Sequence, residues 1–425
     1  MPYPLKHYFY KMISFHRFTL ENGLKVIFHE DKNTPMAVVN TLYDVGARDE
    51  DPNHTGFAHL FEHLMFGGSI NIPDFDGPLQ RAGGESNAFT SNDITNYYDV
   101  LPAKNIETAL WLESDRMLSL AFSDKSLETQ RSVVIEEFKQ RYLNQPYGDV
   151  WLNLRPLAYQ KHPYQWATIG KEISHIEQAT MDQVRRFFST YYHPQNAILC
   201  IAGNFDKHFI EDLCTKWYGA IPKQIKPSRI LAQEPEQTDY RTLTLTRDVP
   251  AAAFYYAFKM DQRKSEGYYF ADLLSDEVGK EKSGRLYLQL KKNLGIVNDI
   301  SAYILGSLDE GLFIVSGKLQ EGRTFEELEE NLWPLLDSYK TEGLTDLEMT
   351  RLKKKWLTSR AFQDQGLLNR AMNLSYFELL GDAHGINEES EIYNAIGAEH
   401  LKMEAKRLFR PSQCSRVFIV PQKTS

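Results

Sequence analysis

The chain has 425 residues, of which 42% are hydrophobic and 25% are charged, and its formal net charge is -9. The length allows two or three ordinary domains, and the composition is that of a globular protein. The negative charge argues against nucleic acid as a partner, and the sequence contains no run of eighteen apolar residues that could span a membrane.

The N-terminal stretch MPYPLKHYFYKMISFHRF is interrupted by lysines and histidines. It lacks the continuous apolar segment and the small-residue cleavage site of a secretory signal. The cysteines at 200, 214 and 414 are scattered and odd in number, which argues against a disulfide framework. Both observations favour a cytoplasmic protein.

The first half of the chain opens with two predicted strands, LKVIFHED (24–31) and MAVVNTLYDVG (36–46). Their β-branched and aromatic residues are typical of strands. A helix is predicted over 55–66, because Pro52 and Thr55 favour a helix start and the glycines at 67 and 68 favour a stop.

Strands rich in Thr, Phe and Tyr are predicted over 86–102, in SNAFTSNDITNYYDVLP. A longer amphipathic helix is predicted over 124–143. Asp124 or Ser126 could cap its start, and Pro146 lies just beyond its end. The apolar stripe of this helix consists of Leu127, Val134, Ile135, Phe138 and Tyr142.

The stretch 220–239 is polar, contains three prolines and shows no regular period, as expected for a linker. It divides the chain into two nearly equal parts. The second part also opens with predicted strands, at 240–248 and 251–260, and then continues into helices.

The ends of the two parts are similar as well. FFSTYYHPQNAILCIAGNF in the first part and EAKRLFRPSQCSRVFIVPQ in the second both combine a helical segment, a proline and a buried type of strand. We therefore predict two duplicated α+β domains, 1–222 and 240–425, joined by a linker at 223–239. Each domain should be a mostly antiparallel sheet with helices on one face.

Two histidines and a glutamate lie in the predicted helix of FAHLFEHLMFGGS (57–69). At about 100° per residue, His63 projects about 40° to one side of His59 and Glu62 about 60° to the other. Two imidazoles at this spacing can bind one zinc ion, and the carboxylate can take a proton from zinc-bound water. Ordinary core or surface histidines are the alternative, but three polar groups on a helix built for burial are costly unless something satisfies them.

Catalytic zinc takes three protein ligands and keeps one open position, so a third ligand must come from elsewhere. The 124–143 helix carries Glu128, Glu136 and Glu137. Glu136 lies roughly opposite the apolar stripe, where solvent is expected. Glu137 lies nearer the flank of the stripe and is the better candidate for an interior metal.

The motifs HLFEHLMFGG and QRSVVIEEF, taken in order, resemble the pitrilysin/insulinase family of inverted zinc metallopeptidases. GGESNAFTSNDITNYY, YYHPQNAILCIAGNFD and SGRLYLQLKKNLG extend the resemblance over nearly the whole chain. The short two-domain branch matches best; it includes the beta subunit of the mitochondrial processing peptidase and bacterial relatives.

The resemblance implies a zinc endopeptidase or oligopeptidase with one zinc ion per chain. His59, His63 and Glu137 would be the ligands, and Glu62 the general base. Gln130 stands where the family often has a further glutamate, seven residues before the third ligand. An amide there would tune the zinc affinity.

The family resemblance also implies that an extended peptide pairs with an edge strand. SNAFTS matches that strand, so Asn87, Ala88, Phe89 and Thr90 are the predicted substrate-binding residues. An ordinary edge strand is the alternative.

The second part has no H-x-x-E-H motif. In active relatives it supplies an Arg and, seven residues later, a Tyr to the facing zinc site. The matching segment LKKNLGIVND has Lys291 and Asn298 at these positions. A local slip of the alignment, or a role for Tyr287 or Tyr303 instead, is the alternative.

This departure predicts a partner. A homologous subunit without zinc would supply the Arg and the Tyr in a heterodimer, and a homodimer is also possible. The second hypothesis for the chain itself is a non-catalytic scaffold or peptide-binding subunit of the same fold.

Overall fold

The computed structural model describes residues 12–280 and 282–422. Residues 1–11, which form most of the N-terminal stretch discussed above, lie outside the described residues, and the cytoplasmic location stays a prediction. In the described part of the chain, no helix is long and apolar enough to cross a membrane. All three cysteines are buried and free, which confirms that they form no disulfide.

The first unit of the fold contains six strands and eight α-helices within the described residues. They are β1 (His16–Thr19), β2 (Lys25–Glu30), β3 (Met36–Tyr43), α1 (Phe57–Leu64), α2 (Asp76–Arg81), β4 (Glu85–Thr90), β5 (Thr95–Pro102), α3 (Ile106–Leu118), α4 (Asp124–Phe138), α5 (Val150–Ala158), α6 (Ile173–Glu177), α7 (Met181–Tyr191), β6 (Ala197–Gly203) and α8 (Lys207–Tyr218).

The second unit contains five strands and six α-helices within the described residues. They are β7 (Arg241–Arg247), β8 (Ala253–Met260), α9 (Glu266–Ser275), β9 (Val297–Leu305), β10 (Gly311–Leu319), α10 (Phe325–Thr341), α11 (Asp346–Gln363), α12 (Leu367–Leu380), α13 (Gly385–Ala395), α14 (Ala398–Leu408) and β11 (Cys414–Pro421).

Each unit is built on one sheet. The strand order is β1-β2-β6-β3-β5-β4 in the first sheet and β7-β11-β8-β10-β9 in the second. Among the described strand pairs, only β2–β6 and β7–β11 are parallel, and they occupy matching places in the two orders. This confirms the predicted α+β fold with two mostly antiparallel sheets.

The two similar segments at the ends of the units have the same structure. α7 leads through a short 3-10 turn, Pro194–Asn196, into β6, and α14 leads through Pro411–Gln413 into β11. In both turns proline is the first residue, where its fixed φ suits the turn and its missing N–H is not needed.

Both faces of each sheet are covered, and this goes beyond the predicted single layer of helices. The expected helices of each unit pack on one face. The other face of the first sheet packs on α12 of the second unit, where Ala371 and Leu374 contact the layer of Ile27, Val38 and Leu42. A helix surface does not reveal which sheet it will meet, so the sequence pattern could not assign this contact.

The second sheet is covered in the reciprocal way by α5 of the first unit. Leu154 of α5 packs with Val417 and Ile419 of β11. At the start of the same helix Arg247 of β7 forms an ion pair with Asp149 at 2.7 Å. The two units thus exchange one helix each, and the contact between them is part of the hydrophobic core.

Residues 219–240, all of which the structure describes, contain no helix or strand. This segment is nevertheless attached to the first unit. Arg229 donates to Asp44 at 3.1 Å and also binds Asp49. The carboxylate of Glu234 accepts hydrogen bonds from the backbone N–H groups of residues 160–162. The domain boundaries proposed from the sequence stay a prediction.

Replacing Leu374 by alanine tests the exchanged helix. Leu374 is fully buried between α12 and the first sheet. We expect the free energy of unfolding to fall by about 2–5 kcal/mol, because a buried leucine is replaced by a cavity. Urea denaturation of the purified chain measures this. Leu347→Ala is the control, because Leu347 is exposed on α11; an equal loss in both variants would contradict the packing.

Candidate metal centre

The helix α1 carries the H-x-x-E-H motif and lies in the core of the first unit. Its buried residues include Phe57, Leu60 and Phe61. The helix is shorter than the predicted 55–66, since the chain enters it through Gly56 in a left-handed conformation with φ 88°. Thr55 does not cap it; the Thr55 hydroxyl instead accepts the N–H of Lys171 at 2.8 Å.

The N-terminus of α1 is capped by Glu50, which the sequence reasoning missed. Its two carboxylate oxygens accept the N–H groups of Gly56 and Ala58, each at 2.8 Å. Side-chain oxygens that accept the free N–H groups at a helix start stabilise the helix. Burial nevertheless raises the pKa of Glu50 to about 8. The sequence feature that could have indicated this cap is the position of an acidic residue, Glu50, shortly before the start of α1.

The helix α4 supplies the other side of the site. Its N-cap is Ser123, which forms a reciprocal capping box with Ser126, so neither Asp124 nor Ser126 is the N-cap residue. The predicted helix over 124–143 is α-helical to Phe138 and continues as a π-helix over Lys139–Leu143. The predicted apolar stripe is buried or partly buried in the core.

The orientation of α4 separates its two neighbouring glutamates. Glu136 is 61% exposed and pairs with Lys139. The side chain of Glu137 is only 18% exposed and points towards α1. The structure thus brings Glu137, and not Glu136, to the two histidines, as the helical wheel predicts.

Three donor atoms meet between α1 and α4. Oε2 of Glu137 lies 3.5 Å from Nε2 of His59 and 3.3 Å from Nε2 of His63. The three ligand atoms lie within 4.8 Å of one another, and no other such cluster of metal-ligating side chains is found among the described residues.

The spacing of these atoms fits a metal ion. Zinc bonds of about 2.0–2.2 Å in a tetrahedral arrangement would place neighbouring ligand atoms about 3.3 Å apart. The two nitrogen–oxygen distances are close to this value. Two imidazoles and one carboxylate are also a donor set that zinc accepts in catalytic sites.

The pKa shifts of the residues around the cluster also favour metal binding and proton transfer. Burial lowers the pKa of His59 to about 4, so that its ring is neutral at neutral pH, the form that binds metals. The hydrogen bond from His63 lowers the pKa of Glu137. Burial raises the pKa of Glu62, which favours proton uptake by this carboxylate.

Glu62 connects the motif helix to the edge strand β4. The Thr90 hydroxyl donates to Oε2 of Glu62 at 2.6 Å. β4 is the last strand of the first sheet, and among the described residues it pairs with β5 alone. Ala88 packs on the core that contains α1, whereas Asn87 and Phe89 are exposed.

Gln130 lies on α4, two turns before Glu137, and is partly buried. Its side chain has no hydrogen bond within the described part of the chain, so it does not brace the cluster directly.

The positions predicted to correspond to the Arg and the Tyr of active relatives lie in the second unit of the chain. Lys291 is in a π-helix, Tyr287–Asn293, with its Nζ 5.6 Å from the centre of the Tyr287 ring. Asn298 is exposed on β9 and donates to the Leu319 carbonyl at 3.2 Å. Tyr303 packs against the core formed with α5.

In the second unit, the helix α9 corresponds in chain order to α1, and no open space separates its C-terminal continuation from the sheet. α9 continues as a π-helix, Asp276–Lys280, which packs on β9. A Cβ at Gly279 would lie 1.8 Å from the backbone nitrogen of Ala302, so helix and strand touch there. The neighbouring buried carboxylate, Glu277, pairs with Arg351 of α11. This unit thus has an ion pair in place of a metal cluster.

Two family models match the chain. Residues 25–172 match the insulinase family, peptidase family M16, and residues 178–355 match the model described as the peptidase M16 inactive domain. The chain belongs to the M16 family. This confirms the resemblance seen in the sequence, including the two-domain branch.

Individual relatives agree with this assignment. The chain is 28% identical to the zinc protease PqqE of Helicobacter pylori over 410 residues, covering 95% of this chain and 92% of that protein. It is 27% identical over 211 residues to the mitochondrial-processing peptidase subunit beta of Saccharomyces cerevisiae, covering 49% of this chain and 45% of that one.

A solved structure described as a protease from Helicobacter pylori has the same fold as this M16 chain. Its TM-score is 0.91 at 27% identity, and the match covers 96% of this chain and 100% of that one. The family is therefore one of zinc proteases, and the two-unit architecture is the shared one.

Proposed function

We propose that the chain is a zinc-dependent endopeptidase or oligopeptidase that cleaves extended peptides. His59, His63 and Glu137 bind one zinc ion, and Glu62 is the general base. The observation that supports this most directly is the convergence of the two histidine Nε2 atoms on Oε2 of Glu137, at 3.5 and 3.3 Å. The zinc-protease names of the relatives agree with it.

Bound zinc would supply a Lewis acid and lower the pKa of a water molecule to about 7. The proton of that water molecule would be accepted by Glu62. Thr90 holds Oε2 of Glu62, which leaves Oε1 of Glu62 to accept a proton. The raised pKa of Glu62 lets it hold that proton and deliver it to the leaving amine.

The edge strand β4 is proposed to bind the substrate by strand addition. Its outer edge has no neighbouring strand in the described part of the chain, and Thr90 ties it to Glu62. Asn87, Ala88, Phe89 and Thr90 are the proposed contacts. Backbone pairing requires an extended peptide, so folded proteins should be poor substrates.

A partner subunit is the second part of the proposal. The chain has Lys291 and Asn298 where active relatives have an Arg and a Tyr. Lysine lacks the fork of five donors, and asparagine lacks the phenol. A homologous chain without zinc would supply both groups in a heterodimer, facing the cluster between α1 and α4. A homodimer is the alternative arrangement.

A non-catalytic scaffold or peptide-binding subunit is the competing function. The missing Arg and Tyr favour it, whereas the complete donor set with Glu62 beside it favours the peptidase. Metal content and turnover distinguish the two.

The first test is the zinc content of two neighbouring glutamate variants. Glu137→Gln should reduce bound zinc from one equivalent per chain to a small fraction, because an amide replaces a charged ligand. Glu136→Gln is the matched control; its side chain is exposed, and zinc content should not change. Elemental analysis of the purified chains measures both. Equal zinc content in the two variants would contradict the ligand assignment.

The second test concerns the base. Glu62→Gln should keep zinc and lose peptide hydrolysis, by about 10²–10⁴-fold, because general base catalysis typically contributes that much. Cleavage of a mixed peptide library, followed by mass spectrometry, measures this at matched zinc occupancy. Native turnover in Glu62→Gln would mean that another group takes the proton.

The third test concerns the partner. The single chain should be a weak peptidase. Adding the homologous zinc-free chain of the same organism should raise its rate of peptide hydrolysis by about 10²–10³-fold, because removing one oxyanion donor typically lowers the rate by that factor. The double change Lys291→Arg and Asn298→Tyr should restore part of this rate if the chain forms a homodimer. Full activity of the wild-type chain alone, unchanged by the partner, would leave no role for a heterodimer.

A further inference from the structure

The carboxylate of Glu137 has a different partner on each oxygen. Oε2 faces the two histidine nitrogens, at 3.5 and 3.3 Å. Oε1 lies 3.0 Å from Nη1 of Arg141, one turn further along the chain. We propose that Arg141 is a positioning residue, which holds Oε1 so that only Oε2 is presented to the metal; this rests on the proposed function.

The backbone places Arg141 for this role. α4 ends at Phe138, and Arg141 lies in the π-helical turn Lys139–Leu143 that follows. π-helical turns occur frequently at functional sites. The spacing of four residues brings Arg141 to the same side of the helix as Glu137, and the two side chains form an ion pair.

Stability does not explain the pair. Arg141 is 70% exposed, and exposed ion pairs contribute little to folding. Among the described residues, Glu137 is the single ion-pair partner of Arg141. The pair is therefore better understood as fixing the direction of one carboxylate than as holding the helix together.

The chemical consequence concerns the open coordination position. A free carboxylate can offer one or two oxygens to a metal ion. Catalytic zinc needs three protein donors and one position left for water or substrate. Holding Oε1 on Arg141 limits Glu137 to one oxygen and so preserves that position.

The same helical turn contains a natural control. Lys139 pairs with Glu136 at 2.6 Å, and both side chains are exposed. This pair also joins a glutamate of α4 to a cation in the following turn, three residues apart instead of four, but it does not include a proposed ligand. Removing Lys139 therefore tests the effect of losing a cation from this turn.

The experiment uses the full chain with Arg141→Ala, Arg141→Lys and Lys139→Ala. Zinc affinity is measured by competition with a chromogenic chelator, and the coordination is followed by the visible absorption of the Co²⁺-loaded protein. Arg141→Ala should weaken zinc binding by about 10–100-fold, the usual effect of losing a group that orients a ligand. The Co²⁺ bands should also weaken, because a five-coordinate ion absorbs less than a tetrahedral one.

Arg141→Lys should recover part of the affinity, since it restores a cation without the fork. Lys139→Ala should match the wild-type chain in affinity and spectrum, and all variants should melt at the same temperature in the zinc-free form, because bound zinc itself stabilises the fold. Unchanged zinc affinity and Co²⁺ spectrum in Arg141→Ala, or equal losses in Arg141→Ala and Lys139→Ala, would overturn the assignment of Arg141. If the wild-type chain binds neither metal, the proposed zinc site itself is wrong, and the role of Arg141 is wrong with it.

Discussion

The burial of α1 is the constraint on which the rest of the site depends. Its large apolar side chains fill the core of the first unit, which fixes the rotation of the helix. Glu50 fixes its start by accepting two of its N–H groups. Once rotation and start are fixed, His59, Glu62 and His63 can only point into the space between α4 and β4. A free surface helix with the same motif would not hold three polar groups in one place.

The rigid surroundings of α1 come from both units. The first sheet is packed between α1 and its neighbours on one side and α12 of the second unit on the other. In the reciprocal contact, α5 of the first unit packs on the second sheet. Because the exchanged helices are core elements, the two units cannot move apart without exposing apolar surface. The second unit thus contributes to the site by supporting its scaffold.

The same duplicated fold has diverged where chemistry is expected. In the first unit the space between α1, α4 and β4 is lined by imidazoles and carboxylates. In the second unit Gly279 allows a π-helix to close on β9, and Glu277 pairs with Arg351. A carboxylate paired with a guanidinium needs no metal to compensate its burial, whereas the two imidazoles of the first unit and the Glu137 carboxylate direct their donor atoms at a common point.

The sequence by itself determined the α+β duplication, the strands and the helix that bears the motif, because these follow from local periodicity and turn residues. It also selected Glu137 over Glu136, since the apolar stripe of α4 fixes which side faces the core. Only the tertiary structure decided the helix exchange, the cap from Glu50, the closed second unit and the contact of Arg141 with Glu137. Those features depend on which surfaces meet in space, and residues far apart in the chain carry no local pattern that records it.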